Sequence, residues 1–175
     1  MIPVIICITG MPGSGKTEAA KILNRLGFTM EEMGDEVRKL AKERANAVER
    51  PDVWRFAEEL KAKMGMAVIA ESMAGRLNAD SDIVISGLRN AEELSVFKRL
   101  LGSNLIVLSI TAPQDMRYFR LLQRDRVRSY EEFLERERNE VDGLGQSSIT
   151  GMADARIENT GSLEDLRKSI EELLG

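Results

Sequence analysis

Gly10-Met11-Pro12-Gly13-Ser14-Gly15-Lys16-Thr17 is the stretch from which the rest of this chain is read. It spells G-x-x-x-x-G-K-[ST], with the apolar run Pro3 to Ile8 leading in and the helix-forming Glu18-Ala19-Ala20-Lys21-Ile22-Leu23 leading out. Glycines let the backbone curl until successive N–H groups point inward, and a helix start adds partial positive charge at the same place. Lys16 has the reach for the β- and γ-phosphates, and the Thr17 hydroxyl suits Mg²⁺. The expected ligand is the phosphate tail of ATP or a close relative. Its expected contacts are Gly10, Met11, Pro12, Gly13, Ser14, Gly15, Lys16, Thr17 and, one residue on, Glu18.

Moving outward, apolar runs of strand length recur at Pro3 to Ile8, Phe28 to Met33, Ile83 to Ser86, Leu105 to Ile110 and Ala155 to Ile157. Between them the apolar spacing predicts helices over Lys16–Leu26, Asp35–Arg44, Val53–Leu77 (broken near Gly65), Glu92–Leu101, Met116–Arg124, Tyr130–Val141 and Leu163–Leu174. Thr160-Gly161-Ser162 reads as turn and N-cap chemistry, as does Pro51-Asp52. Strand and helix alternate, so the predicted fold is α/β: three layers, a five-stranded parallel sheet with helices on both faces. With 175 residues and no repeat or linker, one domain is expected.

Composition narrows the chemistry. The 25 Lys and Arg against 29 Asp and Glu leave a net charge of −4, so nucleic-acid binding is not expected. Histidine is absent and Cys7 is the single cysteine, which removes His-activated nucleophiles and a disulfide framework. The apolar start is too short to span a bilayer and carries no leader pattern, so a cytoplasmic protein without membrane contact is expected. Catalysis, if any, must run on Lys, Arg, carboxylates, hydroxyls and backbone amides.

Beyond the loop, the arginines give the pattern a direction. Met33-Gly34-Asp35-Glu36-Val37-Arg38 resembles the S-T-G-D-x-x-R segment of adenylate kinases, and Ser86-Gly87-Leu88-Arg89-Asn90 resembles their D-G-x-[P]-R segment. In that family both arginines hold the acceptor phosphate. Thr111-Ala112-Pro113 through Arg124-Asp125-Arg126 resembles the strand-to-lid crossing. The resemblance implies that Arg120 and Arg124 meet the donor nucleotide, and that Arg136 and Arg138 clamp phosphates from the returning lid helix. Ala153 to Leu163 resembles the last strand and turn of nucleotide kinases and dephospho-CoA kinases alike. Nearly the whole chain is similar to an archaeal group of nucleotide-kinase-related P-loop proteins. The implied division is a core of 1–34, 79–115 and 150–175, an acceptor-binding helical segment 35–78, and a short helical lid 116–149.

The implied function is transfer of the γ-phosphoryl group of ATP, with Mg²⁺, to a nucleoside monophosphate-like acceptor, with Lys16, Arg38, Arg89, Arg124, Arg136 and Asp35 at the reacting groups. A phosphate acceptor needs no base but needs cations that bring two anions together. A hydroxyl acceptor, as in a dephospho-CoA kinase, would want a carboxylate, for which Asp35 is the candidate. One departure stands out: Ser86 ends the third strand where an acid is expected, and Asp82 lies at its other end. A nucleotide-binding sensor or regulatory ATPase is therefore a further alternative. The ordinary readings of the other residues are solvated ion pairs for Arg120, Arg124, Arg128, Arg136 and Arg138, and core packing for Trp54, Phe56, Met64, Met66 and Met73.

Overall fold

β1 (Ile5–Thr9) is buried along its whole length, which is why it can be apolar on both faces. In the computed structural model, which describes residues 3–46, 50–78, 80–102, 104–143 and 146–175, it is the central strand of a parallel sheet. Its companions are β2 (Thr29–Glu32), β3 (Ile83–Ser86), β4 (Leu105–Thr111) and β5 (Ala155–Glu158), in the spatial order β2-β3-β1-β4-β5. Ile5 stands in register with Ile83 on one side and Leu105 on the other.

Alternation along the strands sorts the core into two layers. Ile6, Ile8, Val84, Leu108 and Ile110 face α1 (Lys16–Arg25) and α9 (Leu163–Leu174), meeting Ala19, Ala20, Ile22, Leu23, Leu166 and Ile170. Ile5, Cys7, Ile83, Ile85, Leu105 and Val107 face the other way. They are covered by α2 (Met33–Ala45), α3 (Arg50–Met64), α4 (Val68–Ala74) and α5 (Ala91–Leu101), with Leu40, Met73, Leu94 and Phe97 at the contact. α6 (Gln114–Gln123) and α7 (Tyr130–Arg138) form a hairpin with an apolar cluster of its own: Leu121, Val127 and Phe133, flanked by Tyr118, Leu122 and Leu134. A π-helical stretch, Asn139–Gly143, then leads to α8 (Gln146–Gly151), whose Ile149 returns to the main core.

The chain passes from β1 to β2 on one side and, after β3, to β4 on the other. Such a reversal opens a crevice at the C-terminal strand ends, where ligands of α/β sheets bind. Gly10, Gly87 and Ala112 all emerge there, following β1, β3 and β4. Helix starts are fixed locally: Asn90 and Ser129 accept from Glu93 and Glu132 N–H groups, and Ser162 with Asp165 completes a capping box. A partly buried ionic cluster ties α2 to α4: buried Glu36 accepts from Ser72 Oγ at 2.7 Å and Arg76 Nε at 3.0 Å, while Arg76 also holds Glu31.

The five strands and the parallel α/β layering stand as the sequence predicts. Gly65 does break the Val53–Leu77 helix, into α3 and α4. The helix beginning at Tyr130 gives way to π geometry after Arg138, short of Val141, and α8 is a helix the periodicity did not signal. Met73 is core, whereas Met64, at the end of α3, is exposed. Phe56 packs against the α2–α5 core, and the Trp54 side chain lies outside the described residues.

Phe97 is fully buried and Phe119 is 59% exposed. Phe97→Ala is expected to lower unfolding free energy by about 3–5 kcal/mol and Phe119→Ala by no more than about 0.5 kcal/mol, read from urea melts.

Candidate functional site

The loop after β1 is built so that its carbonyls are taken. Lys16 Nζ donates to the carbonyls of Gly10 at 2.6 Å and Met11 at 3.1 Å. Arg117 Nη1 reaches the Pro12 carbonyl at 3.5 Å, Arg120 Nη1 the Gly13 carbonyl at 3.3 Å, and Asn159 Nδ2 the Ser14 carbonyl at 2.8 Å. The Gly15 carbonyl accepts the first helical bond of α1, from Ala19 N–H at 3.0 Å. Six consecutive carbonyls are thus oriented by a partner, and Ser14 N–H closes the curl on the Met11 carbonyl at 3.1 Å, a backbone shape suited to an anion. Gly15, the N-cap of α1, is left-handed and brings no side chain, so the positive end of α1 is left for a ligand. Gly13 also has positive φ (80°), and a Cβ there would meet the Arg117 carbonyl oxygen at 2.6 Å, so only glycine lets α6 come this close.

The three bracing side chains are themselves held. Arg117 is buried, donates from Nε to the Ala112 carbonyl at 3.0 Å, pairs with Glu137, and lies 5.6 Å over the Phe133 ring. Arg120 donates to the Asn159 carbonyl at 2.8 Å, and Asn159 N–H reaches Thr111 across the sheet edge at 2.7 Å.

In front of the loop lies a cleft of about 1120 Å³. Lys16, Lys21, Arg89, Arg120, Arg124, Arg126 and Arg136 line it, against two carboxylates, Glu18 and Glu140. A chain of net negative charge has gathered its cations here, which is the electrostatic setting for a polyanion. Burial pushes the Lys16 ammonium down to about 8, with Arg89 and Arg117 adding to the shift and Glu140 opposing it. Burial and then the neighbouring Arg124 likewise hold Arg120 below its usual value.

Arg89 enters from the β3–α5 turn. Its backbone N–H donates to Glu93 Oε2 at 2.9 Å and its Nη1 to Glu140 Oε1 at 2.7 Å. Glu93 is buried and desolvation raises its pKa, while the Arg89 N–H acts the other way.

Of the residues expected from sequence, the cleft lining brings together Gly10, Pro12, Gly13, Gly15, Lys16, Thr17, Glu18, Arg89, Arg120, Arg124 and Arg136. Met11 and Ser14 shape the loop from behind. Arg38 and Asp35 pair with each other on the exposed side of α2 and do not line the cleft, nor do Arg128 and Arg138. Asp35 sits in the first turn of α2, whose N-cap is Glu32. Asp82 accepts from Val4 N–H at 2.7 Å at the other end of β3, as its distance from Ser86 in sequence requires.

The described residues contain no group of three or more metal-ligating side chains, so a Mg²⁺ ion here would draw on Thr17, phosphate oxygens and water, as that ion commonly does. No helix among the described residues is long and apolar enough to cross a membrane.

A family model described as an AAA domain matches residues 6–141. A UPF0200 protein of Thermoplasma acidophilum is 36% identical over 97% of this chain and 94% of its own length. The chain belongs to the AAA-domain and UPF0200 families. A UPF0200 protein of Saccharolobus solfataricus is 34% identical over 97% of this chain and 91% of its own. Among solved structures, TT1252 from Thermus thermophilus superposes with a TM-score of 0.70 at 24% identity, covering 99% of this chain and 97% of that one. Shikimate kinase from Acinetobacter baumannii in complex with shikimate gives 0.68 at 18% identity, over 98% and 93%. Dephospho-CoA kinase from Campylobacter jejuni gives 0.57 at 18%, over 99% and 97%. The fold of this UPF0200 chain is that of a P-loop kinase.

Sequence reasoning missed Arg117, Asn159, Arg126 and Glu140. Asn159 directly follows the last strand, a position from which side chains reach the strand-end crevice, and that signal was available. Arg117 carries no such signal: in sequence it is one more charge on a charged helix.

Because Lys16 gains charge below about 8, affinity for a polyphosphate ligand is expected to weaken about tenfold per pH unit above that value, and Lys16→Arg to remove the dependence. Calorimetric titrations with ATP between pH 7 and 9.5 check it.

Proposed function

We propose that this protein is a phosphotransferase that moves the γ-phosphoryl group of ATP, with Mg²⁺, onto an anionic, nucleoside monophosphate-like acceptor. The observation that carries this reading is the arrangement of cations: Lys16 at the loop and Arg89, Arg124, Arg126 and Arg136 around the same cleft. Phosphoryl transfer asks for alignment and positive charge about the moving group, and two anions need cations between them.

On this reading the amide curl and Lys16 hold the donor phosphates, and Thr17 supplies its hydroxyl to Mg²⁺. Arg120 and Arg124 approach the donor from α6. Arg89 binds the acceptor phosphate. Arg38 would have to leave its Asp35 partner on the exposed side of α2 to meet an acceptor at the outer edge of the site. Residues 116–149 act as the lid that brings Arg136 over the phosphates and excludes water. Residues 35–78 carry the acceptor side, and a reducing, cytoplasmic setting suits the buried thiol of Cys7.

A hydroxyl acceptor would need a free carboxylate in the cleft. Glu18 is paired with Lys21, Glu140 with Arg89, and Asp35 with Arg38 outside the lining. That pairing favours the anionic acceptor.

A coupled ADP-release assay over nucleoside monophosphates and dephospho-CoA tests the reading. Phosphorylated monophosphate supports it, phosphorylated dephospho-CoA moves the acceptor to a hydroxyl, and nucleotide binding without turnover replaces the kinase by a sensor. Within an active pair, Lys16→Ala is expected to lower kcat by about 10²–10³-fold while the protein stays folded by circular dichroism. Arg89→Ala is expected to raise the acceptor KM by about 10–100-fold and to leave the KM for ATP within about threefold, since it removes a charged hydrogen bond to one ligand only. Equal effects on both would displace the acceptor site from Arg89.

A further inference from the structure

Arg89 and Glu140 lie 51 residues apart, on the β3–α5 turn and on the π-helical stretch after α7. Both line the cleft beside Lys16. Their contact is one Nη1–Oε1 bond at 2.7 Å, so it leaves most of the guanidinium fork uncommitted. The two side chains keep 37% and 16% of their surface exposed, which leaves the pair within reach of a solute. The base of Arg89 is pinned separately: Glu93 holds its backbone N–H, and Asn90 starts α5 directly behind. The tip can therefore change partners without the turn moving. On the other side, Glu140 sits in π geometry, a helical irregularity frequent at functional sites.

We propose that Glu140 is a built-in competitor for the anion that Arg89 binds: it holds the α7 return against the β3–α5 turn until a phosphate takes its place. This rests on the reading of the cleft as a phosphate site and adds how that site is regulated. A phosphate presents three oxygens and more charge than a carboxylate. It can engage the fork through two parallel bonds where Glu140 makes one. Once the phosphate is bound, Glu140 faces a like charge and leaves, freeing the segment that carries Arg136 to follow the ligand. The pair thus sets a threshold: strongly anionic ligands open it, and weak anions do not.

The test uses the full chain and inorganic phosphate as probe, with calorimetric Kd values at one ionic strength. Glu140→Gln is expected to tighten binding about two- to fivefold, the fold-change carried by a partly exposed ion pair. Glu140→Asp keeps the charge but shortens the reach to Arg89, and it too is expected to tighten binding. In the Arg89→Ala background, Glu140→Gln is expected to gain less than about twofold. If Glu140→Gln binds no tighter than the parent, or gains as much without Arg89 as with it, the competitor role is overturned while the phosphate cleft stands. If the parent and Arg89→Ala bind the probe equally, the phosphate site at Arg89 itself fails and the competitor falls with it.

Discussion

A peptide unit cannot turn its N–H toward a ligand without turning its carbonyl away, and the carbonyl then needs a partner of its own. That constraint organises this protein. Along residues 10–15 the carbonyls are met in turn by Lys16, Arg117, Arg120, Asn159 and the first bond of α1. A glycine-rich segment left alone would have the largest entropy to lose on adopting one shape. Three of the six carbonyls are met from within residues 16–19, by Lys16 and Ala19, and three from the second half of the chain, by α6 and by the residue that follows β5.

The same braces arrange the charge. Arg117 is buried against Phe133 and paired with Glu137, so the loop is tied to the aromatic cluster of the α6–α7 hairpin. Arg120 and Arg124 are brought together on the adjoining surface, where their mutual repulsion favours an anion between them. Lys16, desolvated and beside Arg89, is held near the point of losing its proton, so a bound phosphate relieves a strain of charge already present. Carboxylates enter only as partners: Glu18 to Lys21 and Glu140 to Arg89.

Much of this was legible in the sequence, for physical reasons that differ by residue. The motif exposed the loop because its glycines and Lys16 answer to geometry that few other residues satisfy. The strands were legible because a sheet covered on both faces needs continuous apolar runs, and Gly65 marked the break between α3 and α4. The end of α7 was not: an acidic, arginine-rich stretch keeps helical spacing whether its bonds are α or π. The bracing role of Arg117 was hidden because its loop partner is a backbone carbonyl, which leaves no trace in side-chain patterns. Arg38 shows the reverse case. Its motif resembles an acceptor arginine, yet its guanidinium is paired with Asp35 outside the cleft lining, because the two lie one helical turn apart on an exposed face.

The central claim is that the amides of this loop receive a nucleotide's phosphates, and backbone amide resonances report on it directly. In a ¹⁵N–¹H titration with Mg²⁺ and ATP, the account predicts that the largest shifts fall on Gly13, Ser14, Gly15, Lys16 and Thr17, with Asn159 and Arg120 following as their carbonyl contacts adjust. Saturable binding that leaves those five amides unmoved would contradict it.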